Sequence, residues 1–412
     1  MTTEILCSFG HNPTLSWKEG QRLCLIGASE NPFPNNPRVK FFPLDSPLFA
    51  EQIAKQVAWT TVFRTCKWIG ETETSAFHEF YKMWERTQRA AELLISDAAD
   101  LGILALQNAK KNLSRKSRSA FSLSFSGTPA VIVGAGPSLA RAKPLLDSLK
   151  DKALILAGGN ALRALSFPPH FAALVDPKEA VKVPPEVPLC VSPRARAPKR
   201  DLWLAPDAHF SYLNWIAGLE TSFDGGWTVG NFLTALAVRW GCNPIIWIGM
   251  DLCYENLRKY ATGEKGNKEQ LVQVTNARGD TVWTQSDWLM AREWTETLAK
   301  KNSGTTFIQM TDTGMAMDQP IQIRPLTERF DWFPISLPVF DAPILEPPRW
   351  AEWKAHLQNQ DEVAQKYLLQ PLWHIWRPLI ERELDLDPTP DKMELNEQLF
   401  YNRVIQEHLH AL

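Results

Sequence analysis

Four apolar runs in the middle of the sequence end on residues able to contact a ligand. Ala130–Val133 opens into Gly134-Ala135-Gly136-Pro137-Ser138, and Ala153–Ala157 into Gly158-Gly159-Asn160. Phe171–Val175 ends on Asp176, and Pro244–Gly249 leads to Asp251. Glycines at 134 and 136 let a backbone approach a phosphate or ribose closely. A helix starting near Ser138 offers unbonded N–H groups and a positive dipole end, and Pro137 suits its first turn. Asn160 either reads a base edge or ribose through its amide, or caps the helix that follows. Asp176 and Asp251 are candidate holders of a metal, a hydroxyl or a proton; the alternative is that each satisfies loop N–H groups.

Further along, Arg194-Ala195-Arg196-Ala197-Pro198-Lys199-Arg200 places four cations in seven residues. Folded over a cleft, Arg194 and Arg196 would neutralise a phosphate or carboxylate; otherwise the loop is solvated. His209 is the one histidine between His170 and His356, and so the one imidazole base on offer there. A structural role for it stays open. Two familiar nucleotide signatures are absent. The third glycine of GxGxxG is Leu139, and the second strand ends in Gly158-Gly159-Asn160 with no acidic residue to grip an NAD ribose. No GxxxxGK[ST] motif occurs, which removes P-loop chemistry.

Alternating short strands and helices must position these residues. The helices run from Ser138 to about Lys150, from Ala161 to Leu165 and from Thr228 to Trp240. This alternation predicts a mostly parallel sheet with right-handed crossovers. In such a sheet, ligands bind beyond the carboxyl ends of the strands. Gly134, Asn160, Asp176 and Asp251 are therefore expected to face one cleft. A Gly136→Val substitution is expected to block nucleotide binding and leave the fold largely intact. A hairpin at 271–285, a helix from Asp287 to Lys301 and a strand from Thr306 to Met310 complete this α/β part.

Before it lie β-like runs Glu4–Ser8 and Arg22–Gly27, turn chemistry from Asn31 to Pro37, and a Pro-free helical pattern from Ser75 to Lys116. Ser117–Gly127 reads as a linker. After it, Pro334, Pro338, Pro343, Pro347 and Pro348 suggest an extended connection, followed by helices Trp350–Leu369 and Lys392–Leu412. The expected division is an N-terminal α+β region (1–125), an α/β catalytic domain (126–326) and a Pro-rich connection with C-terminal helices (327–412).

A chain of 412 residues suits two or three domains. Lys+Arg 44 against Asp+Glu 46 leaves no bulk positive charge for nucleic acid. The six cysteines are scattered, with no CxxC pair or zinc spacing, so they read as buried thiols of a reducing, cytoplasmic compartment and no metal site is expected. No run approaches the roughly 20 apolar residues of a membrane span. Met1–Leu6 lacks the features of a signal peptide.

The segments AVIVGAGPSL (Ala130–Leu139), GNALRAL (Gly159–Leu165), FAALVDP (Phe171–Pro177) and GCNPIIWIGMDLCY (Gly241–Tyr254) resemble the bacterial motility-associated factor (Maf) glycosyltransferases. That group shares a domain with the archaeal MptE-like 6-hydroxymethylpterin diphosphokinases, and the resemblance covers about residues 126–326. It implies a Rossmann-like core similar to bacterial sialyltransferases. It also implies transfer of a nonulosonic acid from a CMP-sugar donor to Ser/Thr of a protein acceptor, with no cofactor required. Carried over, Gly134, Gly136, Pro137 and Ser138 would cradle the nucleotide, Asn160 would contact the donor, and Asp176 and Asp251 would line the reaction centre. The alternative from the same resemblance is an ATP- and Mg²⁺-dependent diphosphokinase. That branch carries an acidic threonine–aspartate–leucine–aspartate run after the third strand. Here Ala173-Leu174-Val175-Asp176-Pro177 offers one carboxylate, a poor Mg²⁺ anchor by itself. A third reading is a nucleotide-binding scaffold without catalysis.

Overall fold

In the computed structural model, residues 4–10, 22–33, 35–36, 38–43, 50–179, 181–207, 209–220, 223–261, 271–337, 340–383 and 390–412 are described. The chain forms two compact units, Met1–Gly102 with Glu362–Glu407, and Ile103–Asp361 with His408–Leu412.

In the first unit, β1 (Ile5–Phe9), β2 (Arg22–Ile26), β3 (Val39–Phe42) and β4 (Cys66–Gly70) make a parallel sheet in the order β3-β2-β1-β4. Strands buried on both faces read as continuous apolar runs, as Ile5–Phe9 does. Helix α1 (Ala50–Thr61) and the start of α2 (Ser75–Leu113) cover one face, where Ala54, Val57, Phe77, Phe80 and Trp84 pack on Ile5, Cys7 and Ile26. The turn after β2 uses its asparagines, since Asn31 Oδ1 accepts from Phe33 N at 2.9 Å and Asn36 Oδ1 from Arg38 N at 3.0 Å. Pro34 and Pro37 of this turn lie outside the described residues.

The second unit is built on a nine-stranded sheet. Its elements are β5 (Ser117–Ser119), β6 (Ala130–Val133), α3 (Leu139–Leu149), β7 (Leu154–Gly158), α4 (Ala161–Ala164), β8 (Phe171–Leu174), β9 (Leu189–Val191), β10 (Leu202–Leu204), α5 (Ser211–Ala217), α6 (Val229–Arg239), β11 (Ile245–Ile248), the hairpin β12 (Val272–Thr275) and β13 (Thr281–Thr284), α7 (Ser286–Lys301), β14 (Phe307–Met310) and β15 (Gln322–Arg324). The order is β15-β14-β11-β6-β7-β8-β9-β10-β5, and every pairing in it is parallel. The fold is thus α/β and Rossmann-like.

Strand alternation sorts the core into two layers. Ile132, Leu154, Leu156 and Phe171 meet Phe232, Leu233, Leu236 and Trp240 on one face. On the other face Val131, Val133, Ile155, Ile246 and Ile248 meet Leu139, Leu145, Leu146 and Leu149. The buried indole of Trp247 donates to Thr234 Oγ1 at 2.8 Å, which satisfies its polar atom.

The Ser117–Gly127 segment is not a linker. Its first residues are the edge strand β5, paired Leu202↔Ser117 and Leu204↔Ser119 with β10, and Ala120 and Phe125 enter the core. Ser117, Ala120, Leu123 and Phe125 of the segment are buried, while Ser122, Ser124, Ser126 and Gly127 stay exposed.

Helix α8 (Trp350–Asn359) ends where Gln360 turns left-handed at φ 49°, so the helix expected to Leu369 is broken there. The chain resumes as α9 (Glu362–Ala364), a π-helical turn (Gln365–Leu369), α10 (Gln370–Glu383) and α11 (Pro390–Ala411). Pro338 of the extended connection lies outside the described residues. Among the described residues, no helix is long and apolar enough to cross a membrane.

Candidate functional site

Because the large sheet is wholly parallel, the loops after β14, β11, β6, β7, β8, β9 and β10 leave from the same edge. Strand order reverses between β6 and β11, the usual place for a nucleotide crevice. Here that place is filled by protein. Gly134 N donates to Ile248 O at 2.8 Å and Gly136 N to Gly249 O at 2.7 Å. A Cβ on Gly134 would run into the Gly249 carbonyl, and one on Gly136 into Asp251 Oδ2 and, at 2.6 Å, Gly249 O. A valine at 136 would therefore have to displace this junction, so its first effect is expected on stability.

Asp251 is 3% exposed and holds the junction closed. Its Oδ2 accepts from Ser138 N at 2.7 Å, its Oδ1 from Thr311 Oγ1 at 3.3 Å, and its carbonyl from Met315 N at 2.8 Å. The carboxylate thus sits at the N-terminus of α3, where a phosphate would otherwise find favourable charge. The buried Ser138 hydroxyl lies beside it without meeting hydrogen-bond geometry. Burial pushes the Asp251 carboxyl above its usual range, against the opposing pull of Ser138, Thr311 and Arg141. Pro137, also buried, precedes this contact.

An open cleft lies on the same edge, beyond β8, β9 and β10 and against the start of α6. It is shallow, with about 20 Å³ of enclosed space, and is lined by Val175, Ser192, Arg194, Pro206, Asp207, Gly225, Gly226, Trp227, Thr228 and Phe232. Thr228 and Asn231 form a capping box at the head of α6. Gly158 has no room for a side chain against Val229, so α6 starts over the end of β7, next to Asn160.

Asn160 is half-buried and stands at the N-cap of α4 without a side-chain capping bond. Its amide makes no hydrogen bond among the described residues. Asp176 is exposed, and its Oδ1 accepts from Lys178 N at 2.7 Å and Glu179 N at 3.0 Å.

The cationic loop does not act as one patch. Arg194 turns inward, with Nε 3.2 Å from Asp207 Oδ2. Arg196 is exposed and donates to the Lys178 and Asp176 carbonyls, at 3.1 Å through Nη1 and 2.9 Å through its backbone N. Arg200 ties down the carbonyls of Pro184, Pro185 and Val187. His209 N donates to Asp207 Oδ1 at 2.8 Å, and its imidazole sits 5.7 Å from the ring of Trp227, which lines the cleft.

Asp207, missed in the sequence, is the centre of this wall. It is 2% exposed, and it accepts from the Ser192 hydroxyl and from Phe210 N at 2.9 Å. Burial by itself would raise its pKa. Arg194 foremost, then His209 and the hydrogen bonds from Ser192 and His209 N, hold it below the ordinary 3.8 instead. The signal for it was present: Leu202–Ala205 is a fifth apolar run, ended by Pro206-Asp207.

Asp176, Asp207 and Asp251 are each engaged separately, and among the described residues no group of three His, Cys, Asp or Glu converges as a metal-holding set. The residues do not fit a protein-caged Mg²⁺.

Fold and site together define a Rossmann-like α/β protein with a shallow cleft at the carboxyl edge of its sheet, its wall carrying the Arg194–Asp207 ion pair. Residues 104–257 match the family described as 6-hydroxymethylpterin diphosphokinase MptE-like. The chain is similar in fold to the solved structure of a Maf glycosyltransferase from Magnetospirillum magneticum AMB-1, with a TM-score of 0.55 and 14% identity, over 100% of this chain and 74% of that one. Both agree with the resemblance carried by the motifs. No curated protein sequence matches the chain.

Proposed function

We propose that the protein is a transferase that uses a nucleotide-activated sugar, moving a nonulosonic acid from a CMP donor to a protein Ser/Thr hydroxyl. The observation that carries this reading is the cleft beyond β8–β10. It is a shallow recess, open to solvent, with a held arginine on its wall. In this reading Asn160 contacts the donor, and Arg194 and Arg196 take up the charge that develops on the leaving phosphate. Gly134, Gly136, Pro137 and Ser138, closed on Asp251, form the rigid floor beside it. His209 or Asp176 accepts the acceptor hydroxyl's proton as the glycosidic bond forms and CMP leaves. Such transfer needs no divalent ion, since CMP carries a single phosphate.

The family match over residues 104–257 supports a second reading, pyrophosphoryl transfer from ATP to a hydroxymethylpterin with Mg²⁺. Thermal-shift titration with CMP, a CMP-nonulosonate, ATP and hydroxymethyldihydropterin, with and without Mg²⁺, separates the two. A ligand at about 100 times its Kd adds about 2.7 kcal/mol of stability. Stabilisation by CMP compounds alone is the expected result. Stabilisation only by ATP with Mg²⁺ and pterin moves the assignment to the diphosphokinase, and no shift at all leaves a scaffold without catalysis.

A further inference from the structure

Arg194 is held at both ends. Its carbonyl accepts from Asn108 Nδ2 at 3.0 Å, and the flanking carbonyls of Pro193 and Ala195 accept from Asn112 Nδ2 at 2.9 and 2.7 Å. Both asparagines are buried on the last turns of α2. Asn108 also donates to Pro177 O at 2.9 Å, so one amide ties the loop after β8 to the loop after β9. At the other end, Nε meets Asp207 and the guanidinium lies over Phe210, 5.7 Å from the ring centre.

Asp207 is itself fixed by its neighbours. Its N–H donates to Asn214 Oδ1 at 2.6 Å while Asn214 Nδ2 returns a bond to its carbonyl at 2.8 Å. A mobile surface arginine loses rotamer entropy when it takes an anion, whereas one held in place has lost most of it on folding. An acid that is 2% exposed and holds an arginine on the wall of an open cleft is a costly arrangement for stability alone.

We propose that Ser192, Arg194 and Asp207 form a preorganised subsite for one anionic group of the substrate. Arg194 contacts the anion and Asp207 is the positioning residue that aims it. The identity of the anion, a nucleotide phosphate or a sugar carboxylate, rests on the transferase reading above; the subsite itself does not.

Isothermal titration of the full chain with CMP, uncharged cytidine, a free nonulosonic acid and inorganic phosphate tests this. Arg194→Lys keeps a cation for Asp207 but loses the planar fork. It is expected to weaken binding of the anionic probe about tenfold and leave cytidine unchanged. Asp207→Asn should weaken the same probe three- to tenfold, and the double variant should be no worse than Arg194→Lys, because Asp207 acts through Arg194. Ser192→Ala gives a milder loss and covers the case in which Asp207→Asn does not fold. A loss confined to CMP assigns the subsite to phosphate, and one confined to the free acid assigns it to carboxylate. A loss seen with inorganic phosphate while CMP and the free acid fail to bind the wild type keeps the subsite and removes the CMP-sugar reading. Folded variants that bind every anionic probe within twofold of wild type, or a wild type that binds none of them, overturn the proposal.

Discussion

Two buried aspartates sit on the same sheet edge and meet opposite fates. Asp251, at the β6–β11 junction, has hydrogen bonds but Arg141 as its main cation, whose side chain is 42% exposed and paired with Glu255; burial wins and its carboxyl is pushed up. Asp207 is as deeply buried, but Arg194 at 3.2 Å, His209 and the hydrogen bonds from Ser192 and His209 N together outweigh burial and hold its carboxyl down. The position where the strand order reverses is a place to bind ligand only if the loops leave it open. Here two glycines let the loops close on each other, and the open space lies beyond β8–β10. The junction is therefore a brace, and the proposed transfer is assigned to the cleft.

The largest effect expected from breaking this contrast is at Arg194. Arg194→Met strands Asp207 as a buried charge and should cost about 3–5 kcal/mol in chemical denaturation. Loss of a comparable amount in Arg141→Met would erase the distinction. Gly136→Val should cost about 1–3 kcal/mol through overpacking against Gly249 and Asp251, read as a lower melting temperature. A valine variant as stable as wild type would mean that the junction is loose.

The pH dependence sharpens the comparison. The lowered pKa of Asp207 contributes stability that is present above its unfolded value and lost as pH falls through the depressed one. The raised pKa of Asp251 works the other way, with a contribution present at low pH and lost as pH rises through the raised value. Measured by denaturation across the carboxylate range, Asp207→Asn should fall further behind wild type as pH rises from acid toward neutral. Asp251→Asn should gain on wild type over the same interval. Parallel curves for the two variants would contradict the opposite assignments.

The smallest stability effect is expected at Asp176. Its Oδ1 serves two loop N–H groups, a role Asn fills equally, so Asp176→Asn should stay within about 0.5 kcal/mol of wild type. Turnover should drop more than donor affinity, as judged by separate kcat and KM measurements. An unchanged kcat removes Asp176 from the chemistry.

Most of the large sheet was legible because β6, β7, β8, β11 and β14 are apolar runs of four or five residues with a turn signal at the end. β5, β9 and β10 are three residues each, too short to show a period. Ser117–Ser119 reads as linker because its value to the fold is in its backbone pairing, and its side chains give no sign of that. Missing β10 hid Asp207, since an acid at a strand end stands out only once the strand is seen. The four cations of the 194–200 loop were visible in the sequence. The placement of Arg194 among them depends on Asn108 and Asn112, some 80 residues earlier in the chain.

Product formation from a CMP-nonulosonate and a Ser/Thr peptide, followed chromatographically with and without EDTA, tests the proposed transfer most directly. CMP release and glycosylated peptide are expected to persist in chelator and to fall at least tenfold in Arg194→Lys. Activity lost completely in EDTA, or turnover seen only with ATP and hydroxymethyldihydropterin, would contradict the proposed transfer.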